Sequence, residues 1–125
     1  MRFLIYILLL LGGAFATSQN LMTEKDFNSS IKRNGVVVIE FWAEWNKQNE
    51  CKYLKDLEGC NTGKVCIESS TTLAEKYNIK VLPTLVIINN SEEICRFKGN
   101  LLFKLDAKEI DVQEVIDSII ISKFE

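Results

Sequence analysis

The chain has 125 residues, 47 % of them apolar and 26 % charged, with a formal net charge of −2. That is enough chain for one domain with one core, and the charge balance excludes a basic field that would recruit nucleic acid. There is no histidine, which removes the side chain that most often serves as general base or metal ligand near neutral pH.

Met1-Arg2 gives a short positive start, Phe3–Leu11 is an unbroken apolar run, and Gly12-Gly13 lead into Ala14-Phe15-Ala16, a small-X-small cleavage signal. This is the pattern of a secretory leader, and its apolar run is shorter than the roughly 20 residues that cross a bilayer. Residues 1–16 are expected to be removed. Residues 17–125 are then one exported domain with no stable membrane span, periplasmic in a Gram-negative bacterium and secreted otherwise.

Thr23-Glu24-Lys25-Asp26 reads as a capping box with aspartate at its third helical position, and Phe27 and Ile31 give the following helix, 24–33, its apolar face. Asn34-Gly35 is a turn signal. Val36–Phe41 is a β-branched apolar run that suits a strand covered on both faces, with Glu40 as a carboxylate inside it. Cys51, Leu54 and Leu57 are spaced by three and predict a helix over 47–58 that stops at Gly59. A strand is expected over 64–68. A short helix over 73–77 follows, with Ser69–Thr72 offering its caps.

The only proline, Pro83, precedes an apolar strand that runs to Ile88. Asn89-Asn90-Ser91 is a tight turn, and 92–98 pairs back as an antiparallel edge strand ending at Gly99. Residues 100–110 fit no element. Leu101, Phe103 and Leu105 alternate as an extended segment would, and Leu102 breaks the alternation. Asp111 with Glu114 caps a last helix over 112–123, whose stripe is Val112, Val115, Ile116, Ile119 and Ile120. The order of elements predicts an α/β sandwich with a mixed central sheet flanked by helices.

Two blocks carry a resemblance. Glu40-Phe41-Trp42-Ala43-Glu44-Trp45 and Leu82-Pro83-Thr84 resemble the corresponding blocks of thioredoxin-like proteins, and the likeness runs over about residues 20–122. It implies the thioredoxin-like fold, a small edge strand within 17–22 and a cis peptide before Pro83. It also implies that the backbone at Leu82 pairs with an extended peptide partner, a strand-addition mode of recognition. In that family Cys-X-X-Cys follows the first block. Here Asn46-Lys47-Gln48-Asn49 stands there, so both thiol positions carry asparagine. The proline that often kinks the next helix of the family is also missing.

Dithiol exchange needs a thiolate at a helix N-terminus and a second thiol to resolve the mixed disulfide, and an amide supplies neither. Asn46 is instead a good helix N-cap. Cys51, two residues past Asn49, falls on the opposite side of the predicted helix and reads as a small buried hydrophobe. Glu40 takes the place of the family's buried acid, with its pKa raised by desolvation and Lys47 as its nearest charge partner in sequence. Trp42 packs in the core. Trp45 stays partly exposed and available to a bound peptide.

Given the fold that the resemblance implies, Cys66 and Cys95 lie on strands too far apart to bridge. Two states remain open: a Cys51–Cys60 disulfide, or four reduced cysteines, three of them buried. The intervals disfavour a four-cysteine zinc site, and no metal or other cofactor is expected. The chain therefore reads as an exported binding or structural module that engages a protein or extended peptide through Trp45, Asn46, Asn49, Leu82 and Pro83. A regulatory or chaperone-like role, with residues 100–110 as the contact surface, is a separate reading. The alternative is a thiol-disulfide oxidoreductase in cell redox homeostasis acting through Cys51, with or without Cys60.

Overall fold

A computed structural model describes residues 22–124. The leader, its cleavage site and all but the last residue of the expected 17–22 strand lie outside the described residues. Met22 itself donates its backbone N–H to the Lys64 carbonyl at 2.9 Å.

Helix α1 (Glu24–Ile31) begins as its sequence dictates. Thr23 Oγ1 accepts from the Asp26 N–H at 3.1 Å and Asp26 Oδ2 accepts from the Thr23 N–H at 3.3 Å. The helix stops before the expected Arg33, and Gly35, with φ of +112°, turns the chain into β1 (Val36–Trp42). Strand β2 (Cys60–Cys66) pairs parallel to β1, with Val36 opposite Cys60 and Glu40 opposite Lys64. It starts four residues before the expected Lys64, because pairing with β1 recruits the polar Asn61-Thr62-Gly63 stretch. After the short helix α2 (Thr71–Lys76), β3 (Thr84–Asn89) and β4 (Glu92–Lys98) form an antiparallel hairpin. Its two-residue turn has positive φ at both Asn90 and Ser91, the backbone that matches strand twist in tight hairpins.

The sheet order is β2-β1-β3-β4, with β1 and β3 antiparallel. Alternation along β1 sorts the core into two layers. Val37, Ile39 and Phe41 pack with Phe27 and Ile31 of α1 and Leu73 of α2. Val36 and Val38 pack on the other face with Leu54, Leu57 and helix α3 (Glu109–Ser122), which contributes Val112, Ile116 and Ile119. Helix α3 begins earlier than Asp111: the Asp111 carboxylate accepts from the Lys108 N–H at 2.8 Å and so sits inside the first turn.

The expected helix over 47–58 does not form. The segment makes two 3-10 turns, Glu44–Asn49 and Leu54–Asp56, separated by irregular chain. At the break, the Cys51 N–H is donated to Glu40 Oε2 at 2.8 Å, where a continuing helix would have needed it for the Lys47 carbonyl. The spacing of Cys51, Leu54 and Leu57 by three is the period of a 3-10 helix, not of an α-helix.

Beyond β4, Gly99 donates its N–H to the Pro83 carbonyl at 2.7 Å and makes an isolated bridge with Leu105. A Cβ at Gly99 would overlap the Leu82 carbonyl. Gly99→Ala is therefore expected to destabilise the fold by about 1–3 kcal/mol, the usual range for overpacking, as a lowered midpoint in equilibrium urea denaturation. An unchanged midpoint would mean that this approach is not needed.

Candidate functional site

Strand β1 delivers the site. Beyond Trp42 the chain passes Ala43 into the first 3-10 turn, which carries Glu44, Trp45, Asn46, Lys47, Gln48 and Asn49. Asn46 does not cap this turn: Ala43 is the N-cap residue, and Asn46 lies within the turn with φ of −113°. The Asn46 side chain points inward and is only 5 % exposed. Its Nδ2 donates to the Phe103 carbonyl at 3.0 Å, and its Oδ1 accepts from Asn49 Nδ2 at 2.8 Å. Both ends of a buried amide are thus bonded, as burial of a polar group requires.

Trp45 is 55 % exposed and meets the Phe103 ring edge-on, with centroids 5.1 Å apart. Of residues 100–110, which fit no element in the sequence, the last two open α3 and the rest form a loop that reaches the site at Phe103. They are not extended as the alternation of Leu101, Phe103 and Leu105 suggested, since Phe103 has φ of +60°. Asn100 organises the loop. Its Oδ1 accepts from the N–H groups of Leu102 at 2.8 Å and Lys104 at 3.2 Å, and its Nδ2 donates to Asp106 Oδ1 at 2.9 Å. A second tie to the body runs from the Tyr53 hydroxyl to the Ala107 carbonyl at 2.7 Å.

The Leu82-Pro83 peptide is cis. Leu82 is 4 % exposed, Pro83 is also buried, and Gly99 closes on the Leu82 carbonyl. The residues expected to contact a peptide thus split into exposed Trp45, partly buried Asn49, and buried Asn46, Leu82 and Pro83.

Glu40 is fully buried on the α3 side of β1. Burial raises its pKa to about 7, against the Cys51 N–H bond and the Lys64 charge, which both lower it. The expected partner, Lys47, instead lies beside Glu44 at 3.9 Å, both well exposed. Lys64 reaches the cluster because the β1–β2 register sets it opposite Glu40. Its ammonium stands 4.5 Å from the Trp42 ring centroid and pairs with Glu50. Burial acts to raise Glu50, and the bonded ammonium outweighs it and holds that carboxyl below its usual range. Glu40 Oε1 and the Trp42 indole N–H have no hydrogen-bond partner among the described residues.

The four cysteines carry no disulfide in this structure. All four are partly buried, where three were expected to be fully so. Cys51, Cys60 and Cys95 pack against the α3-side core. Burial is the largest influence on Cys51 and pushes its thiol up to about 11; Glu40 also raises it, and hydrogen bonding at Tyr53 partly offsets both. At pH 7 that leaves about one molecule in ten thousand as thiolate. Burial also pushes Cys60 and Cys95 up. Among the described residues no group of three histidine, cysteine, aspartate or glutamate side chains could hold a metal ion.

Sequence reasoning missed Phe103, Tyr53, Lys64 and Glu50. Lys64 carried a usable signal, a lysine heading the apolar run Val65-Cys66-Ile67. Phe103 carried none, because its role depends on where the loop folds back.

The thioredoxin family model matches residues 18–110. Thioredoxin of Buchnera aphidicola is 32 % identical over 98 residues, which cover 70 % of this chain and 88 % of that protein. Thioredoxin of Staphylococcus epidermidis is 31 % identical over 87 residues, 62 % of this chain and 81 % of that one. Among solved structures, a point-mutant thioredoxin from Halobacterium salinarum superposes with a TM-score of 0.64 at 20 % identity, covering 78 % of this chain and 86 % of that one. Schistosoma mansoni thioredoxin superposes with a TM-score of 0.63 at 25 % identity, covering 78 % and 92 %.

The raised Glu40 has a signed consequence. Between pH 4.5 and about 7 the folded chain keeps a proton that the unfolded chain has released. Its contribution therefore favours the folded state below that window and is lost as pH rises through it, by up to about 3 kcal/mol. Glu40→Gln abolishes this titration and keeps an acceptor for the Cys51 N–H. Urea denaturation at about pH 5 and about pH 8 is expected to show the variant gaining on the wild type by about 2–3 kcal/mol at the higher pH. An equal difference at both would show that Glu40 does not titrate there.

Proposed function

We propose that this chain, which belongs to the thioredoxin family, binds a protein or an extended peptide and does not exchange dithiols. The observation that carries the reading is the buried Asn46 amide bonded to the Phe103 carbonyl, where the family resemblance puts the first thiol. An amide neither ionises nor attacks sulfur, and here its donor holds the Phe103 loop while its acceptor takes the Asn49 amide of its own turn. Exposed Trp45 is the contact most available to a partner. Asn49 is partly buried, and Asn46, Leu82 and Pro83 are buried, so they offer a partner less surface than Trp45 does. Large aromatic side chains of this kind dominate binding energy at interfaces. The leader-like residues 1–16 support a role outside the cytoplasm.

A second reading is favoured by one observation: the relatives are named thioredoxins. In it, the Cys51 thiolate attacks a substrate disulfide, a mixed disulfide forms and the substrate's other sulfur leaves as thiolate. Cys60 or an external thiol then resolves the mixed disulfide, and a dithiol reductant restores the protein. A thiol raised to about 11 makes the first step slow at neutral pH.

Insulin reduction with dithiothreitol separates the two. The binding reading predicts no acceleration over dithiothreitol alone, with wild type and Cys51→Ala indistinguishable. Turnover that disappears in Cys51→Ala would establish the second reading in its place.

A further inference from the structure

The loop from Asn100 to Asp106 is built to project. Leu101 is 96 % exposed and Leu102 is 70 % exposed, two adjacent leucines at the tip of a turn whose hydrogen bonds are supplied from within. Asn100 satisfies that turn through Leu102, Lys104 and Asp106, and the Asn100 N–H donates to the Lys104 carbonyl at 2.7 Å. The foot is pinned to the body at Phe103 by Asn46 and at Ala107 by Tyr53. The prong therefore needs no partner to order it, and binding it costs little conformational entropy. Single exposed leucines are ordinary on a surface, whereas a preformed pair with aromatics at its base asks for an apolar medium.

Charge decides which medium. The whole chain is at −2, yet Lys98 to Lys108 contains three lysines and one aspartate, a local excess of positive charge that ends at Glu109 and Asp111 in the first turn of α3. Lys98, Lys104 and Lys108 are all exposed. An apolar tip flanked by lysines, with Trp and Phe behind it, is the composition that settles at an anionic lipid interface. Among the described residues no helix is long and apolar enough to cross a membrane.

We propose that Leu101 and Leu102 insert into the headgroup and upper acyl region of an anionic bilayer, with Lys98, Lys104 and Lys108 on its phosphates and carboxylates. The site face around Trp45 is thereby held at the membrane surface. This inference does not rest on the binding reading above, nor on any thiol.

The test is flotation of the full chain with phosphatidylcholine vesicles, with and without phosphatidylserine. Wild type is compared with Leu101→Asp/Leu102→Asp and with Lys98→Gln/Lys104→Gln. Comparison within the same chain cancels any contribution from the apolar residues 3–11. The leucine pair is exposed, so unchanged far-ultraviolet circular dichroism is expected. Binding should require phosphatidylserine, fall at least about tenfold in the leucine variant and several-fold in the lysine variant or high salt, and shift Trp45 emission to the blue. Equal binding of wild type and leucine variant overturns the proposal, as does no binding to phosphatidylserine vesicles. Self-association lost in the leucine variant, without vesicle binding, also overturns it and makes the prong a contact between copies.

Discussion

Asn46 is an amide with almost no access to solvent, and a buried amide is tolerated only when its donor and acceptor are both bonded. Here Asn49 supplies the donor and the Phe103 carbonyl the acceptor. The second partner lies 57 residues away, so one side chain ties the turn after β1 to the loop after β4. Leaving the Phe103 carbonyl without Asn46 would cost on the order of 1–3 kcal/mol, and the positive φ of Phe103 depends on such ties to persist. Trp45 then has Phe103 to pack against, and Tyr53 meets Ala107. At the place where the family resemblance puts a reactive sulfur, the chain has a structural rivet.

The surrounding electrostatics agree with that role. A working thiolate needs positive potential and access to solvent. Cys51 has burial and the nearby Glu40 carboxyl, which both favour the neutral thiol. The Lys64 ammonium is occupied by Glu50 and the Trp42 ring. Glu40 itself is used for structure: by taking the Cys51 N–H it ends the turn after the site and sends the chain back under α3.

The parts of the fold legible in sequence are those set by local pattern. The β-branched run of β1, the Thr23–Asp26 box of α1 and the Asn90-Ser91 hairpin each follow from adjacent residues alone, and the mixed sheet follows from their order. The segment 47–58 misleads because spacing by three passes for an α-helical stripe, while the bond that decides it comes from Glu40 on another element. Strand β2 begins early because its pairing partner, not its own composition, sets its limits. The start of α3 differs by one turn, since Asp111 acts as the third helical residue and not as the cap. At the site, the sequence reads Asn46-Lys47-Gln48-Asn49 where the resemblance puts the two thiols. The use made of Asn46 is not legible there, because Phe103 is distant in sequence and its loop has no periodic pattern. The resemblance implies peptide pairing at the Leu82 backbone, and Gly99, distant in sequence, closes on the Leu82 carbonyl.

The central claim is that no thiolate stands at this site near neutral pH, and the pH dependence of Cys51 alkylation measures it most directly. Native protein is treated with iodoacetamide across a pH series, and modification at each cysteine is quantified by peptide mass spectrometry. Cys51 is predicted to react slowly at pH 7, with a rate still climbing as pH approaches about 11. Rapid Cys51 labelling at pH 7, with a rate that no longer rises above it, would contradict the account and return the site to thiol chemistry.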